Sequence, residues 1–238
     1  MKSTRRKIMT LSGVLIAVAL LFSIFTVSSK AASGMPDADN GVIKLTEDVT
    51  LTAGYVVPAG TTLKIDLNGF TIKTTTGLRA DVITVEKGAT LTITGNGTIT
   101  NSYTADDYAA IFNNGNTTID GATLKLDTTA NRNTYYVAVN HGIMQTKNTN
   151  MSSNDFGSSL FENGYSNYTD ATRDPRKAYV PTVNEATPKL TIYSGIYDGG
   201  MNTIKNDDGA ELVIENGTFK NTKQVSLMNW NIATINGG

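Results

Sequence analysis

The stretch Gly88–Asn101, GATLTITGNGTITN, contains two short strand patterns separated by a glycine turn. Leu91, Ile93 and Ile99 alternate with threonines on either side. A strict alternation of apolar and polar residues is the pattern of a β-strand with one buried face. This stretch therefore predicts two neighbouring strands that share one core.

The same pattern recurs along the chain. Related copies read GTTLKIDLNGFTI (Gly60–Ile72), GNTTIDGATL (Gly115–Leu124), GAELVIENGTF (Gly209–Phe219) and IATINGG (Ile232–Gly238). The turn glycines Gly60, Gly88, Gly115 and Gly142 are 28, 27 and 27 residues apart. A repeat of this length with about three short strands and no helical pattern predicts a parallel β-helix, because leucine-rich repeats and propeller blades differ in content or length.

Each coil of the predicted solenoid has three strands, and seven or eight coils are expected. Two successive coils are predicted to use the segments Val82–Val85, Thr90–Ile93 and Thr98–Thr100, then Ala110–Asn113, Thr117–Ile119 and Thr123–Leu126. One internal column should contain Leu63, Leu91, Leu190 and Leu212. The column beside it should contain Ile65, Ile93, Ile119, Ile192, Ile214 and Ile235.

The phrases IDLNGFTI (Ile65–Ile72), TLTITGNGTI (Thr90–Ile99) and LVIENGTF (Leu212–Phe219) resemble the right-handed parallel β-helix of the pectate-lyase-like superfamily. They are most similar to the Thr-, Asn- and Gly-rich solenoids of secreted and surface proteins in Gram-positive bacteria. The resemblance covers the chain from about Val42 to its end, apart from one insertion. It implies the fold, whereas the superfamily contains lyases, hydrolases, adhesins and inert stalks.

Residues 1–31 have the pattern of a secretory signal peptide. A basic segment with Lys2, Arg5, Arg6 and Lys7 precedes an apolar run from residue 8 to residue 27. Small residues then fit cleavage before Ala32. An uncleaved membrane anchor is the alternative, and it would be the only contact with a membrane. We predict a short lead-in over residues 32–41 and a single β-helix domain over residues 42–238, secreted or at the cell surface.

Charge and cysteine content narrow the class of partner. Without residues 1–31 the chain has 15 Lys and Arg against 21 Asp and Glu, which opposes binding to nucleic acid. The chain contains no cysteine, so the core alone must stabilise an extracellular fold. Neither a cofactor nor a metal site is expected.

An insertion is predicted over residues 148–176, where the repeat pattern fails and Ser, Asn, Asp and Tyr are frequent. Four aromatic residues in it are the candidate ligand-binding residues: Phe156, Phe161, Tyr165 and Tyr168. Aromatic rings stack on sugars or on protein partners. The alternative is that these rings fold the loop back onto the coil.

Residues with catalytic potential are few. His141 is the only histidine, and it occupies a turn position that Asn114 and Asp208 fill in other repeats. In polygalacturonase-type hydrolases a pair of aspartates precedes the catalytic histidine along the chain, whereas here the pair Asp207-Asp208 follows His141. The pairs Asp106-Asp107 and Asp207-Asp208 are expected to be solvated turn acids. No catalytic residue is therefore predicted.

Two classes of function remain. The first is a non-catalytic extracellular solenoid that acts as a structural, adhesive or self-assembling module and binds a glycan or a surface protein. The second is a polysaccharide lyase or glycoside hydrolase that acts on an acidic polysaccharide. Because neither end of the repeat shows an evident cap, stacking of the last coil on the first coil of another copy, head to tail, is also expected.

Overall fold

The computed structural model describes residues 33–102, 108–126, 135–153, 157–165 and 187–238. The segment 1–31 and the acids Asp106 and Asp107 lie outside them. No helix in these ranges is long and apolar enough to cross a membrane. The strands, in chain order, are β1 (Val42–Lys44), β2 (Val49–Leu51), β3 (Tyr55–Val57), β4 (Thr62–Asp66), β5 (Thr71–Thr74), β6 (Ile83–Val85), β7 (Thr90–Thr94), β8 (Thr98–Asn101), β9 (Ile111–Asn113), β10 (Asn116–Asp120), β11 (Thr123–Leu126), β12 (Ala138–Asn140), β13 (Ile143–Lys147), β14 (Thr149–Ser153), β15 (Phe161–Asn163), β16 (Lys189–Ile192), β17 (Gly195–Gly199), β18 (Ile204–Asn206), β19 (Glu211–Ile214), β20 (Thr218–Lys220), β21 (Leu227–Asn229) and β22 (Ile232–Ile235).

These strands wind into a right-handed parallel β-helix with three sheets, as predicted. Sheet A contains β1, β4, β7, β10, β13, β16, β19 and β22. Sheet B contains β2, β5, β8, β11, β14, β17 and β20, and sheet C contains β3, β6, β9, β12, β15, β18 and β21. Every pair of neighbouring strands in these sheets is parallel. The first seven coils each contribute one strand to each sheet, and β22 adds an eighth strand to sheet A.

The strand register confirms the predicted columns in sheet A. Leu63 pairs with Leu91, and Leu190 pairs with Leu212, with Thr117 and Met144 between them. The isoleucine column continues through Thr146, whose hydroxyl lies 2.6 Å from the Tyr197 hydroxyl in the core. Ile235 belongs to this column but is 61% exposed on the last coil.

A ladder of asparagine side chains lines the corner where sheet C leads into sheet A. Its members end five successive sheet C strands: Asn113, Asn140, Asn163, Asn206 and Asn229. Each of the first four donates from Nδ2 to Oδ1 of the next asparagine at 2.7 Å. The same Nδ2 groups also donate to backbone carbonyls of the following coils, as Asn163 does to Glu211 at 2.9 Å. Stacking thus satisfies amides that are buried in the core.

Two strands lie inside the segment that the sequence pattern assigned to the insertion. Residues 149–153 form β14 and residues 161–163 form β15, so the prediction that the repeat fails throughout residues 148–176 is wrong for both strands. The long connection of this coil runs from Gly164 to Pro188, between β15 and β16.

The lead-in covers the first coil, contrary to the expectation that this end has no cap. Met35 is 2% exposed and belongs to the main core. The Ser33 carbonyl accepts a hydrogen bond from the Thr52 N–H at 3.0 Å, and Asp39 forms an antiparallel bridge with Val42. The inward-facing apolar residues of the first coil, such as Ile43, Val49 and Val57, are consequently buried.

Candidate functional site on the outer face of sheet C

The middle residue of each sheet C strand points away from the core. Along the sheet this outer column reads Val56, Thr84, Phe112, Val139, Glu162, Lys205 and Met228. Val56 is 38% exposed, whereas Phe112, Val139 and Glu162 are 5%, 0% and 1% exposed. A second layer of the protein therefore covers the outer face over the third to fifth coils.

Aromatic residues form part of this second layer. Tyr135 and Tyr136, which precede β12, pack with Ala109, Phe112 and Val139 in a cluster separate from the main core. The two tyrosine rings lie 5.1 Å apart at 68°, an edge-to-face contact that aromatic pairs prefer. The segment that leads into β12 therefore packs on the outer face of sheet C through the buried rings of Tyr135 and Tyr136.

A group of buried charges lies beside these rings. Lys205 Nζ is 2.9 Å from Asp207 Oδ2 and 3.6 Å from Glu162 Oε1. The side chains of Lys205, Asp207 and Glu162 are 15%, 5% and 1% exposed. Burial raises the pKa of Tyr136, and the negative charges of Glu162 and Asp207 raise it further. We call Glu162, Lys205 and Asp207 the sheet C charge cluster.

The charge cluster overturns one interpretation of the sequence. Asp207 was expected to be a solvated turn acid, but it is buried and paired with Lys205. Asp208 is exposed, as expected. The sequence offered a weak signal for the pairing: Lys205 and Asp207 are two residues apart, and side chains two apart in a strand share a face. The stacking of Glu162 on Lys205 depends on the length of the connection between β15 and β16, which the repeat does not reveal.

His141 lies in the turn between β12 and β13. Its N–H donates to the Asn113 carbonyl at 2.7 Å, and its ring packs edge-on against Phe112 at 5.1 Å. The Tyr165 ring lies 4.1 Å from the His141 ring, and the Tyr165 hydroxyl donates to the His141 carbonyl at 3.4 Å. His141 is therefore held between two aromatic rings at 7% exposure.

The turn position of His141 repeats along the solenoid axis. The residues that follow the ladder asparagines are Asn114, His141, Gly164, Asp207 and Trp230, and each N–H donates to the sheet C strand of the coil before. The prediction is thus confirmed for Asn114, whereas Asp207 rather than Asp208 holds the equivalent position. Stacked coils are about 4.8 Å apart. His141 and Trp230 share this position three coils apart, whereas Tyr165 follows Gly164 and packs on the His141 ring. We call Tyr165, His141 and Trp230 the corner row.

The four aromatic residues that were predicted to bind a ligand lie in different environments. The prediction that Phe161 binds a ligand is wrong. This residue is fully buried in the core column of sheet C, between Ala138 and Ile204. Tyr165 is half-buried and belongs to the corner row. Phe156 and Tyr168 lie outside the described residues. The sequence reasoning overlooked Trp230, the only tryptophan, which is 62% exposed in the same row.

No group of three or more His, Cys, Asp or Glu side chains in the described ranges could hold a metal ion. Comparison of the chain with protein-family models, with curated proteins and with solved structures finds no match. The fold assignment accordingly depends on the strand register of this chain alone.

Proposed function

We propose that this protein is a secreted or cell-surface β-solenoid that acts as a non-catalytic adhesive rod and binds a linear glycan along the corner row. The proposal includes membership of the pectate-lyase-like superfamily and a Gram-positive bacterial source, which rest on the sequence phrases alone. The observation that carries the binding role is that His141 and Trp230 occupy the same turn position on different coils, with the Tyr165 ring packed on His141.

This arrangement suits an extended ligand. The turn position repeats once per coil along the axis, and Trp230 lies three coils from His141, so a polymer along the axis can span both ends of the corner row. Trp230 offers an exposed ring, and Tyr165 offers a half-buried ring whose hydroxyl donates to the His141 carbonyl and can still accept a hydrogen bond. Rings of this kind combine apolar contact with hydrogen bonding, which is what a sugar face and its hydroxyl groups require.

A glycan array probed with the purified protein tests the proposal. Trp230→Ala and Tyr165→Ala should each weaken binding to the bound polysaccharide by about 2- to 10-fold. Tyr193→Ala is the matched control, because Tyr193 is 44% exposed but follows β16 at a different corner. The corner row is refuted if neither variant binds more weakly than the control.

The enzymatic alternative has one observation in its favour. The charge cluster brings two carboxylates and a lysine onto adjacent coils, an arrangement that could transfer protons. A catalytic acid or base must reach the substrate, however, and Glu162 is 1% exposed. We expect no release of unsaturated or reducing sugars from acidic polysaccharides. Turnover that depends on Asp207 or His141 would establish the lyase or hydrolase instead.

Head-to-tail assembly of copies remains a prediction. Met35 covers the core of the first coil, so a second copy stacking there would have to displace it. Light scattering with size-exclusion chromatography measures this directly. Growth of large species with concentration would support assembly, and a constant monomer mass would contradict it.

A further inference from the structure

We infer that Lys205 and Asp207 form an intramolecular amide bond, with Glu162 as the group that carries the proton. Asn206 between them points into the core and belongs to the asparagine ladder. Lys205 and Asp207 therefore emerge together on the outer face of sheet C. The inference does not depend on the glycan proposal, because the ring atoms of the corner row have no part in it.

The contact between the two side chains is close but is not a hydrogen bond. Lys205 Nζ lies 2.9 Å from Asp207 Oδ2, yet this buried oxygen has no hydrogen-bond partner among the residues that the structure describes. The amine thus approaches the carboxyl group away from the direction a hydrogen bond requires. The carboxyl carbon, which is the atom an amine attacks, is one C–O bond from that oxygen.

Amide formation would replace the buried charges of Lys205 and Asp207 by a neutral group. Glu162 pairs with Lys205 in the strand register, and its Oε1 lies 3.6 Å from Nζ. Burying an ion pair costs desolvation energy that the attraction between the charges does not always offset. Conversion to an amide removes one positive and one negative charge from a site whose side chains are at most 15% exposed.

The reaction balances without a cofactor or an oxidant. The Lys205 ammonium first passes a proton to the Asp207 carboxylate, leaving a neutral amine and a carboxylic acid. The amine then attacks Cγ of Asp207 and the C–N bond forms. Glu162 accepts the proton from the nitrogen and delivers it to the departing hydroxyl group, which leaves as water. Glu162 returns to its starting state, and the net change is the loss of one water molecule.

Intact-mass measurement of the purified wild-type protein tests the inference. Most molecules should be lighter than the sequence by one water, and trypsin should fail to cut after Lys205. Fragmentation of that peptide should locate the link between residues 205 and 207. The exposed pair Lys189 and Glu211, 3.4 Å apart at 45% and 40% exposure, is an internal control that should remain unlinked.

Three variants distinguish the amide between Lys205 and Asp207 from other reactions that remove one water molecule. Asp208-Gly209 could lose water as a cyclic imide, so Asp208→Glu should retain the lighter mass. Lys205→Arg should show the full mass, and Glu162→Gln should form the link at least ten times more slowly. Wild-type protein at full mass, cut normally after Lys205, overturns the inference, and this result requires no variant to fold.

Discussion

At the scale of single residues, the structure differs from the sequence pattern most clearly at the asparagines. Asparagine is a common turn residue, and the repeat was interpreted in that way. The structure instead buries Asn113, Asn140, Asn163 and Asn206 completely, each bonded to the next. A single repeat contains no sign of this, because the partners are 23 to 43 residues apart. Only the alignment of the coils brings the amides together.

Asn163→Asp tests the ladder. The carboxylate cannot donate to Asn206 Oδ1 or to the Glu211 carbonyl, and it places a charge in the core. We expect the free energy of unfolding, measured by denaturant titration, to fall by about 3–5 kcal/mol. Asn229→Asp is the control, because Asn229 is exposed and its oxygen still accepts from Asn206. An equal loss in both variants would contradict a buried ladder.

Tyr197 links stability to pH. It is fully buried, stacks on Phe219 with ring centres 5.2 Å apart, and shares a 2.6 Å hydrogen bond with Thr146. Burial raises its pKa above the ordinary value of 10.0. Above pH 10 the unfolded chain loses this proton while the folded chain retains it. The free energy of unfolding therefore decreases as the pH rises above 10.

Tyr197→Phe should make this alkaline decrease shallower. Removing one such group changes the slope by up to about 1.4 kcal/mol per pH unit. At neutral pH the variant should be less stable by about 1–2 kcal/mol, because the Thr146 hydroxyl loses its partner. Denaturant titrations at several pH values measure both effects. Burial also raises the pKa of Tyr136. The variant should therefore still lose some stability as the pH rises above 10. An unchanged slope would mean that Tyr197 ionises freely in the fold.

At the scale of elements, strands were predictable wherever alternation extends over four or five residues. β4 and β7 agree with the sequence because two large apolar side chains alternate with polar ones in each strand. β14 and β15 were missed for a physical reason. β14 has Met151 as its only large apolar residue, and β15 has three residues, of which Glu162 faces outward and is buried. Tertiary packing, rather than local pattern, defines these two strands.

Leu91→Asp tests the inward face of β7. Leu91 is fully buried, so its replacement puts a carboxylate into the dry core, and the protein should lose more than about 4 kcal/mol of stability. Thr92→Asp is the matched control on the outer face, where the strand register sets Lys64 beside it. That variant should unfold within about 0.5 kcal/mol of the wild type. Similar midpoints of thermal unfolding for the two variants would refute the register.

At the scale of the whole molecule, each coil contacts only its neighbours, so stability is expected to vary along the axis. The central coils have neighbours on both sides. The first coil has β4 on one side and the lead-in with Met35 on the other. The last strand, β22, pairs only with β19 among the described residues, and Ile232 on it is 59% exposed.

Met35→Asp should therefore act locally. Losing a buried Met costs about 2–5 kcal/mol in a core, and here the loss falls on the coil that Met35 covers. We expect amide hydrogen exchange to speed up in β1, β2 and β3, while β7, β8, β10 and β11 remain protected. Val42→Asp is the control, because Val42 is on β1 but is 38% exposed. Uniform loss of protection in every strand would show that the solenoid unfolds as one cooperative unit, since the change at Met35 would then reach coils it does not touch.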